Sequence, residues 1–484
     1  MGLFRLVSRL RPSTILALAS FALIIVRAVR TVDPVWDTLQ YHWPFAGRVA
    51  GICDRSCFLL SWGMEARYDG FPLFLHAMQG MLWRLTGTPG MADLINIALV
   101  VALGAYLKWR FSVPLAWSWL AFLAIPEVQI ELTTSYIDLP VNAAVTLALA
   151  ALLRMLVQPN VDQRVDVAIA FASLAVAAGS KFQLVPIALL TWTAIVSLAA
   201  RNPSSVRFKH RLLVVVSFGT AGALAMLPKL AMNAVTFGNP FHPIAVTFGP
   251  FHFSGQEAMT SVNAIADDWA TWPNPIRWLA SVLEFDAFQK RSLPWTIGQG
   301  EVPQSNPSFR MGGYFVSYVL GAITLIIWSA RSTPAARWAL AMMVTLSLIC
   351  AWTPLSHDLR YNEYWMLALV SIALVIAHSP AFASPQQVTN RRYTHGLIAI
   401  ALTSVVMMTG GAYLRTNGPT LQDLIRETDA VVATVPDGGT LCILNGNRRG
   451  FLYSSLFHPS RRYLTRTLFA DESAECTIRL DLDR

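Results

Sequence analysis

Charged residues are scarce in this chain. They make up 13% of its 484 residues, while hydrophobic residues make up 54%, and the mean hydropathy is +0.47. A soluble globular domain carries about 25% charged residues. The shortage of charge excludes an ordinary soluble protein and indicates a chain that lies in a lipid bilayer.

The sequence also lacks the short motifs of several common enzyme classes. It contains no glycine-rich phosphate loop, no Cys-X-X-Cys pair, no His-Glu-X-X-His helix and no serine nucleophile elbow. Its nine histidines are scattered, so no zinc site is predicted. A divalent cation held by acidic residues stays open, but no spacing supports one, and no cofactor is predicted. No cytoplasmic segment is long enough for a nucleotide-binding domain.

Apolar runs dominate what is present. A membrane-spanning helix needs about 20 mostly apolar residues. The sequence therefore predicts an all-α polytopic membrane bundle of about eleven transmembrane helices. These cover 12–30, 91–107, 112–127, 138–157, 165–180, 182–200, 211–230, 311–330, 337–353, 363–379 and 396–414. The first run lacks a small-residue cleavage site, so a retained helix is expected rather than a signal peptide.

Basic residues in the connectors set the orientation. With the N-terminus in the cytoplasm, every inside connector of the eleven-span arrangement is basic, as the positive-inside rule expects. Counting 72–86 as a further span would place most of these clusters outside. That shorter run, interrupted by His76, Gln79 and Arg84, predicts an amphipathic helix in the membrane interface instead. The net charge of +9 thus reflects topology, and nucleic acid is not an expected partner.

The same arrangement places the long loops and the C-terminal tail on one side of the membrane. It predicts a bacterial inner-membrane protein with a catalytic transmembrane domain, 1–414, whose outer loops are 30–90, 127–138 and 231–310. The tail, 415–484, has a different composition: a helical stretch, a Pro-Asp-Gly-Gly turn and a short apolar strand. We expect a small α/β domain there, in the periplasm with the active site.

Four of the five cysteines fall in predicted outer segments. Cys53 and Cys57 lie in the first loop, and Cys442 and Cys476 lie in the tail. An oxidising periplasm permits two disulfides, and four unpaired small apolar residues are the alternative. A four-residue spacing on a regular helix would strain a bridge between Cys53 and Cys57.

Two aspartates follow the first span in the stretch TVDPVWDTLQYHWPFAGRVAG, residues 31–51. Asp37, just outside the membrane, can serve as a general base toward a hydroxyl, or it can simply cap a helix. Tyr41 follows four residues later, on the same face if the segment is helical, and His42 adds a group that can hydrogen-bond or stack on a sugar. Asp33 is the competing carboxylate, but it precedes Pro34, which favours an extended turn.

Acidic residues also gather in the second predicted outer loop, PEVQIELTTSYIDLP. Glu127 and Glu131 precede Asp138, which stands at the start of an apolar span. A helix cap is the alternative role for Asp138. The acids of the two loops predict a shared cleft that positions an acceptor or holds a metal.

Cations near the same side predict an anionic substrate. Lys181 lies between two apolar runs, and a charge costs about 2.5–3.5 kcal/mol at the bilayer centre and less at the interface. A lipid headgroup or snorkelling to the interface explains such a lysine. Arg360 precedes a late span, and its planar fork suits phosphate. Lys229 and His242 flank a turn at Gly238-Asn239-Pro240 and are predicted to line the same cleft.

An ordered series of short motifs extends along the chain. DTLQYHWPFA follows the first span, and YDGFPLFLHAMQGMLWRLTG precedes the second; SYIDLP, AAGSKF, MNAVTFGNPFHP and LRY come later in that order. Up to about residue 415 this series resembles the GT-C superfamily of polyprenol-phosphate-sugar-dependent glycosyltransferases. The nearest group is that of protein O-mannosyltransferases and lipid A aminoarabinose transferases. The resemblance implies the GT-C fold and an inverting transfer from a polyprenyl-phosphate sugar donor.

Position by position, the resemblance implies catalytic roles for Asp37, as general base, and for Asp138. It places Lys181 near the donor phosphate and an Arg–Tyr pair at Arg360 and Tyr361. The other expected substrate-binding residues are Tyr41, His42, Asn239 and His242. Thr38 stands where related enzymes often carry a glutamate, which argues against a carboxylate pair or a bound metal. Expected partners are the donor, a glycolipid, glycan or protein acceptor, and membrane lipids.

Two other function classes stay open. A lipid flippase or glycan exporter would carry polar residues along several spans, and many transporters show internal repeats, which this chain lacks. A periplasmic-face glycan polymerase or ligase would depend on arginines rather than on a first-loop aspartate. Substituting Asp37 and the arginines separately distinguishes the last class from a GT-C transferase.

Overall fold

The structure is a computed structural model that describes residues 11–33, 36–159, 161–200, 206–248, 251–255, 257–258, 272–283, 312–353, 356, 358–382, 418–444, 449–468 and 474–480. The eleventh predicted span, 396–414, lies outside the described residues. So do 259–271 and 284–310 of the third predicted outer loop. Helices predominate in the described part of the chain, as predicted.

The helices follow one another with short connections as far as residue 200. They are α1 (Pro12–Arg30), α2 (Trp43–Val49), α3 (Trp62–Gly70), α4 (Phe74–Thr86), α5 (Leu94–Phe111), α6 (Leu115–Leu123), α7 (Pro126–Glu131), α8 (Asp138–Val157), α9 (Arg164–Ala178) and α10 (Val185–Ala200). The later helices are α11 (Val206–Phe237), α12 (Asn274–Leu283), α13 (Gly312–Ser332), α14 (Pro334–Trp352), α15 (Tyr364–His378) and α16 (Leu421–Val432).

Four helical segments in the described part of the chain are long and apolar enough to cross a membrane. They are Pro12–Arg30, Pro89–Phe111, Asp138–Val157 and Pro334–Trp352. Shorter apolar helices are Phe182–Leu198, Tyr318–Ser332 and Tyr364–His378. A membrane location is therefore supported by length and composition, while the count of eleven crossings stays a prediction.

The third predicted span, 112–127, is wrong as a continuous helix. α6 ends at Leu123 after 9 residues. At 1.5 Å per residue this is about 14 Å, roughly half of the hydrocarbon core. A new helix, α7, starts at Pro126, where the missing N–H costs nothing at the first helical position. The predicted second outer loop that follows, 127–138, is buried along its whole length.

α8 lies at the centre of the bundle. Nearly all of its residues are buried, and it packs against α5, α9, α10, α14 and α15. A helix that is apolar all round can lie in a protein core or face lipid, and α8 is covered by the neighbouring helices. Its first residue, Asp138, is consequently set inside the protein, and only 3% of that side chain is exposed.

The first predicted outer loop folds into short helices. A π-helical segment, Thr38–His42, runs directly into α2. α4 has 13 residues, too few to cross a membrane, and is amphipathic as predicted for 72–86. Its buried face carries Leu75, His76, Gln79, Gly80 and Trp83, and its exposed face carries Phe74, Met78, Met81 and Leu85.

The strands form two small sheets. They are β1 (Phe58–Leu59), β2 (Ile244–Phe248), β3 (Phe251–Phe253), β4 (Glu257–Ala258), β5 (Thr440–Leu444), β6 (Leu464–Leu468) and β7 (Ile478–Leu480). One sheet has the order β3-β2-β4, within the third predicted outer loop. The other has the order β1-β6-β5-β7 and is parallel throughout.

The helix, turn and strand predicted for the tail are present. Thr420 and Asp423 form a capping box at the start of α16. Gly438 has a φ of 76°, the left-handed conformation that favours glycine in the turn before β5. The sheet, however, takes its edge strand β1 from the first loop, about 400 residues earlier in the chain. The independence of 415–484 as a domain stays a prediction.

Both cysteine pairs of the outer segments are disulfides in the structure. Cys53 joins Cys57, and Cys442 joins Cys476. The four-residue spacing of the first pair is no obstacle because residues 50–57 form turns instead of a regular helix. Cys350 is a free, buried thiol.

Candidate active site

Asp37 lies at the start of the π-helical segment that follows α1. Its Oδ2 atom is 3.3 Å from Nη1 of Arg360, which belongs to a short 3-10 turn, Leu359–Asn362, before α15. Both side chains are partly exposed, 21% for Asp37 and 16% for Arg360. The structure thus brings together two residues that the sequence analysis placed in the first loop and before a late span.

The guanidinium of Arg360 is held between two carboxylates. Its Nε atom donates to Oδ2 of Asp358 at 3.2 Å, and its Nη2 atom donates to the hydroxyl of Tyr361 at 3.1 Å. The amide of Asn142 in α8 fixes the backbone of this turn. It donates to the carbonyl of Arg360 at 2.9 Å and accepts the N–H of Tyr364 at 3.1 Å. The arginine fork is therefore oriented from several sides.

A second ion pair joins Lys181 to Asp138 through Nζ and Oδ1. Lys181 has an extended backbone between α9 and the turn Phe182–Leu184, and 13% of its side chain is exposed. Its Nζ atom lies 4.7 Å from the ring centre of Tyr361, and Cζ of Arg360 lies 4.9 Å from the same ring. A ring face attracts cations. Tyr361 accordingly connects the two ion pairs.

The two tyrosines of the cluster stay protonated. Arg360 lowers the pKa of Tyr361, but burial and the neighbouring carboxylates raise it to about 12. Burial, with the charges of Asp37 and Asp138, raises the pKa of Tyr41 well above its ordinary value. Each phenol therefore acts as a hydrogen-bond donor or acceptor at neutral pH and not as a base.

His42 lies beside Tyr41 in the interior of the protein. The two rings are 3.9 Å apart, and Nδ1 of His42 is 3.0 Å from Nε2 of His76 on α4. Burial lowers the pKa of His42 well below its ordinary value, and burial together with Lys181 lowers the pKa of His76 to about 3. Two neutral imidazoles share this hydrogen bond, one donating and one accepting. His42 is completely buried, and a substrate-binding role for it stays a prediction.

The turn between α7 and α8 is shaped by Asn96 of α5. Its amide nitrogen donates to three backbone carbonyls of the turn, those of Glu131, Thr134 and Tyr136, at 2.6, 2.9 and 3.0 Å. The turn presents the ring of Tyr136 at 5.9 Å from Cζ of Arg360. The Glu131 carboxylate accepts the N–H of Leu139 in the first turn of α8. Glu131 thus supports the start of the helix that carries Asp138.

Asn239 and His242 have contacts of a different kind. The amide of Asn239 donates to the carbonyls of Ile244 and Ser254 at 2.8 and 2.9 Å and accepts the N–H of Phe241 at 2.8 Å. These bonds hold the turn into β2. The ring of His242 stacks on Phe237 at 3.7 Å. None of these contacts reaches the two ion pairs, and a substrate-binding role for either residue stays a prediction.

Lys229 reaches the first loop from α11. Its ammonium donates to the carbonyl of Asp69, and the neighbouring Asn233 donates to the carbonyl of Gly70 at 2.8 Å. α11 extends to Phe237, seven residues beyond the predicted end of its span. The helix therefore packs its outer turns against α3 instead of ending in a free loop.

Four residues of the site escaped the sequence analysis: Asp358, Tyr136, Asn142 and Glu363. Asp358 and Tyr136 stand two residues before Arg360 and Asp138, and this proximity was the only signal for them. Asn142 follows Asp138 by one helical turn. Glu363 is fully buried, and both of its carboxylate oxygens are without a hydrogen-bond partner in the described part of the chain.

The described residues contain no group of three or more His, Cys, Asp or Glu side chains arranged to hold a metal ion. Asp37 and Asp138 each face a cation, and Thr38 is buried beside Asp37. The donor set that the structure offers is thus two carboxylate–cation pairs. Such a set suits a ligand with its own negative charges and a hydroxyl that can exchange a proton with a carboxylate.

No protein-family model matches the chain, and no curated protein sequence matches it. Among solved structures, it is similar to ArnT from Cupriavidus metallidurans bound to undecaprenyl phosphate. The TM-score is 0.54 at 14% identity, over 94% of this chain and 85% of that one. It is also similar to the arabinofuranosyltransferase AftD from Mycobacteria, with a TM-score of 0.47 at 15% identity, over 89% of this chain and 29% of that one. The ArnT likeness shows that the chain shares the fold of ArnT, which agrees with the fold that the sequence resemblance implied.

Proposed function

We propose that this chain is an integral membrane glycosyltransferase. It would move a sugar from a polyprenyl-phosphate donor to a hydroxyl of a lipid, glycan or protein acceptor on the periplasmic face of a bacterial inner membrane, with inversion at the anomeric carbon. The observation that carries this proposal is the meeting of Asp37 with Arg360 at 3.3 Å, next to the Asp138–Lys181 pair.

The cationic side chains of Arg360 and Lys181 would bind the donor phosphate. Arg360 and Lys181 approach the same Tyr361 ring from their own elements, and both keep some exposure. A phosphate that reaches them would compete with the carboxylates for the two positive charges. Its binding to Arg360 would leave the carboxylate of Asp37 free to accept a hydrogen bond from an acceptor hydroxyl. The ArnT structure of the same fold contains undecaprenyl phosphate, which supports a polyprenyl-phosphate donor here.

The chemical step is a displacement at the anomeric carbon. Asp37 accepts the proton of the acceptor hydroxyl while its oxygen forms the new bond to that carbon. The bond from the anomeric carbon to the phosphate oxygen breaks, and its electron pair stays on the phosphate. Lys181 and Arg360 stabilise this growing negative charge, and such stabilisation is usually the largest contribution to a rate enhancement of this kind. Asp138 holds Lys181 in place.

Mass spectrometry of surface glycolipids, glycans and glycoproteins tests the proposal. We compare wild-type cells, a deletion strain, and cells that make the Asp37→Asn variant at the wild-type level. Loss of the same sugar mass in both mutants would identify the sugar and support Asp37 as the base. Loss in the deletion strain alone would support a transferase but show that Asp37 is not the base. Asp138→Asn would then be the next variant to test. If neither mutant changes a glycolipid or a glycoprotein, the transferase proposal is wrong.

A further inference from the structure

The segment that carries Asp37 is attached to the C-terminal unit, by which we mean the described residues between 418 and 480. Phe451 and Leu452 of that unit are completely buried in one apolar cluster with Leu39 and Trp43. A side chain at Gly450 would come within 2.6 Å of Nε2 of Gln40. The π-helical segment thus lies directly against the turn Gly450–Tyr453.

Backbone bonds attach the same loop at two further places. The N–H of Val32, two residues after α1, donates to the carbonyl of Pro419 at 2.9 Å. On the other side of Asp37, β1 pairs with β6, Phe58 opposite Thr465 and Leu59 opposite Arg466. The N–H of Ser61 then donates to the hydroxyl of Thr467 at 2.8 Å. The loop is therefore held before Asp37, at Val32, and after it, at residues 39–43 and again at residues 58–61.

We propose that the C-terminal unit is a positioning element for the base: it holds the segment 38–42, and with it Asp37, in place against Arg360. This inference rests on the proposed role of Asp37. Lys181 and Arg360 belong to other elements, between α9 and α10 and before α15, so the unit acts on the base and not on the phosphate-binding cations. Loosening the attachment should lower kcat and leave the KM for the donor nearly unchanged.

Two threonines on one strand give a matched test. Thr465 and Thr467 are both fully buried on β6, but Thr467 bonds to the first loop, whereas the hydroxyl of Thr465 donates to the carbonyl of Tyr453 within the C-terminal unit at 2.9 Å. We expect Thr467→Val to lower kcat by about tenfold or more, because small displacements of a catalytic group are costly. Thr465→Val should change kcat by less than about twofold if positioning through the loop matters.

Hydrogen exchange provides a readout that does not depend on activity. In Thr467→Val, the amides of 36–49 and of Ser61 should exchange faster than in the wild type and in Thr465→Val. Equal exchange and equal kcat in the two variants would overturn the proposal. Faster exchange in Thr467→Val, together with a wild-type protein that transfers no sugar, would support the attachment and count against the proposed function.

A second pair keeps the test valid if Thr467→Val does not fold. Gly450→Ala places a methyl group against Gln40, whereas Gly438→Ala meets no atom within 4 Å and strains only its own turn. A selective loss of kcat in Gly450→Ala supports positioning through the segment 38–42. An equal loss in both, with unchanged exchange in the first loop, would show that only the stability of the unit matters and would overturn the proposal.

Discussion

The carboxylate of Asp37 lies 3.3 Å from the guanidinium of Arg360, a residue 323 positions later in the chain. The same guanidinium also binds Asp358 at 3.2 Å, so one arginine faces two carboxylates. The two acids differ in what they are expected to do. Only Asp37 is placed as the proton acceptor in the proposed reaction, and Asp358 serves to orient the arginine.

This difference predicts unequal effects of two matched substitutions. Asp37→Asn should lower the transfer rate by about 10²- to 10⁴-fold, the usual contribution of a general base. Asp358→Asn also removes one negative charge beside Arg360, but the transfer rate should stay within about tenfold of the wild-type rate. Single-turnover kinetics with a purified donor measure both. Similar losses in the two variants would mean that the arginine needs its carboxylates and that neither acid is the base.

The shape of the Arg360 side chain leads to a second prediction. Its three nitrogens have separate partners, Asp37, Asp358 and Tyr361, and a lysine offers only a point charge. Arg360→Lys should therefore raise the KM for the donor and lower kcat, together about a hundredfold in kcat/KM, or roughly 3 kcal/mol. Arg55→Lys makes the same change in an exposed surface pair and should have no effect. Full activity of Arg360→Lys would show that a positive charge is enough and that the planar guanidinium is not needed.

Much of this site was predictable because its residues stand next to apolar runs. Asp37, Asp138, Lys181 and Arg360 each lie at the end of a helix or span, where a charged residue in a membrane protein calls for an explanation. Their meeting in one cluster follows from threading the chain so that those ends share one side. The positions of these four residues relative to the apolar runs were therefore enough to predict that they cluster.

Other features depend on contacts that leave no local pattern. β1 has two residues and no periodicity, and its partner lies about 400 residues away. The amide of Asn239 looks equally suited to a ligand or to its own turn, and only the structure shows that the turn uses it. Pro126 is a local signal for the break between α6 and α7, but the apolar residues on both sides of it match a continuous span equally well.

The buried histidine pair predicts a loss of stability in acid. The pKa of His76 is lowered to about 3 by burial and Lys181, and burial also lowers that of His42. In the unfolded chain each imidazole takes up a proton below about pH 6.5, while the folded protein keeps both neutral. The contribution of the two neutral histidines to the free energy of unfolding is therefore complete above pH 6.5. It is lost as the pH falls further, by about 1.4 kcal/mol per pH unit for each histidine.

Thermal unfolding between pH 7 and pH 5 measures this loss. The wild-type midpoint should fall with pH, and His76→Gln should show a shallower dependence because one buried neutral imidazole is gone. The slope is the test, since the substitution also changes the midpoint at pH 7. A slope equal to that of the wild type would contradict a buried neutral His76. Arg462→Gln, at an exposed position of the C-terminal unit, is the control and should keep the wild-type slope.

The two disulfides should contribute unequally to the stability of the C-terminal unit. Cys442–Cys476 joins β5 to a residue just before β7 across a sequence separation of 34, whereas Cys53–Cys57 closes a separation of only 4. Because a cross-link restricts the unfolded chain more when its loop is longer, we expect losses of about 4 and about 2 kcal/mol when each pair is changed to serine. Hydrogen exchange of β5 and β6 in purified protein, with each double-serine variant compared with the wild type, measures the difference. Faster exchange in Cys442→Ser/Cys476→Ser than in Cys53→Ser/Cys57→Ser is the expected order. The reverse order would show that the short bridge, which precedes β1 directly, contributes more to this sheet than its loop length predicts.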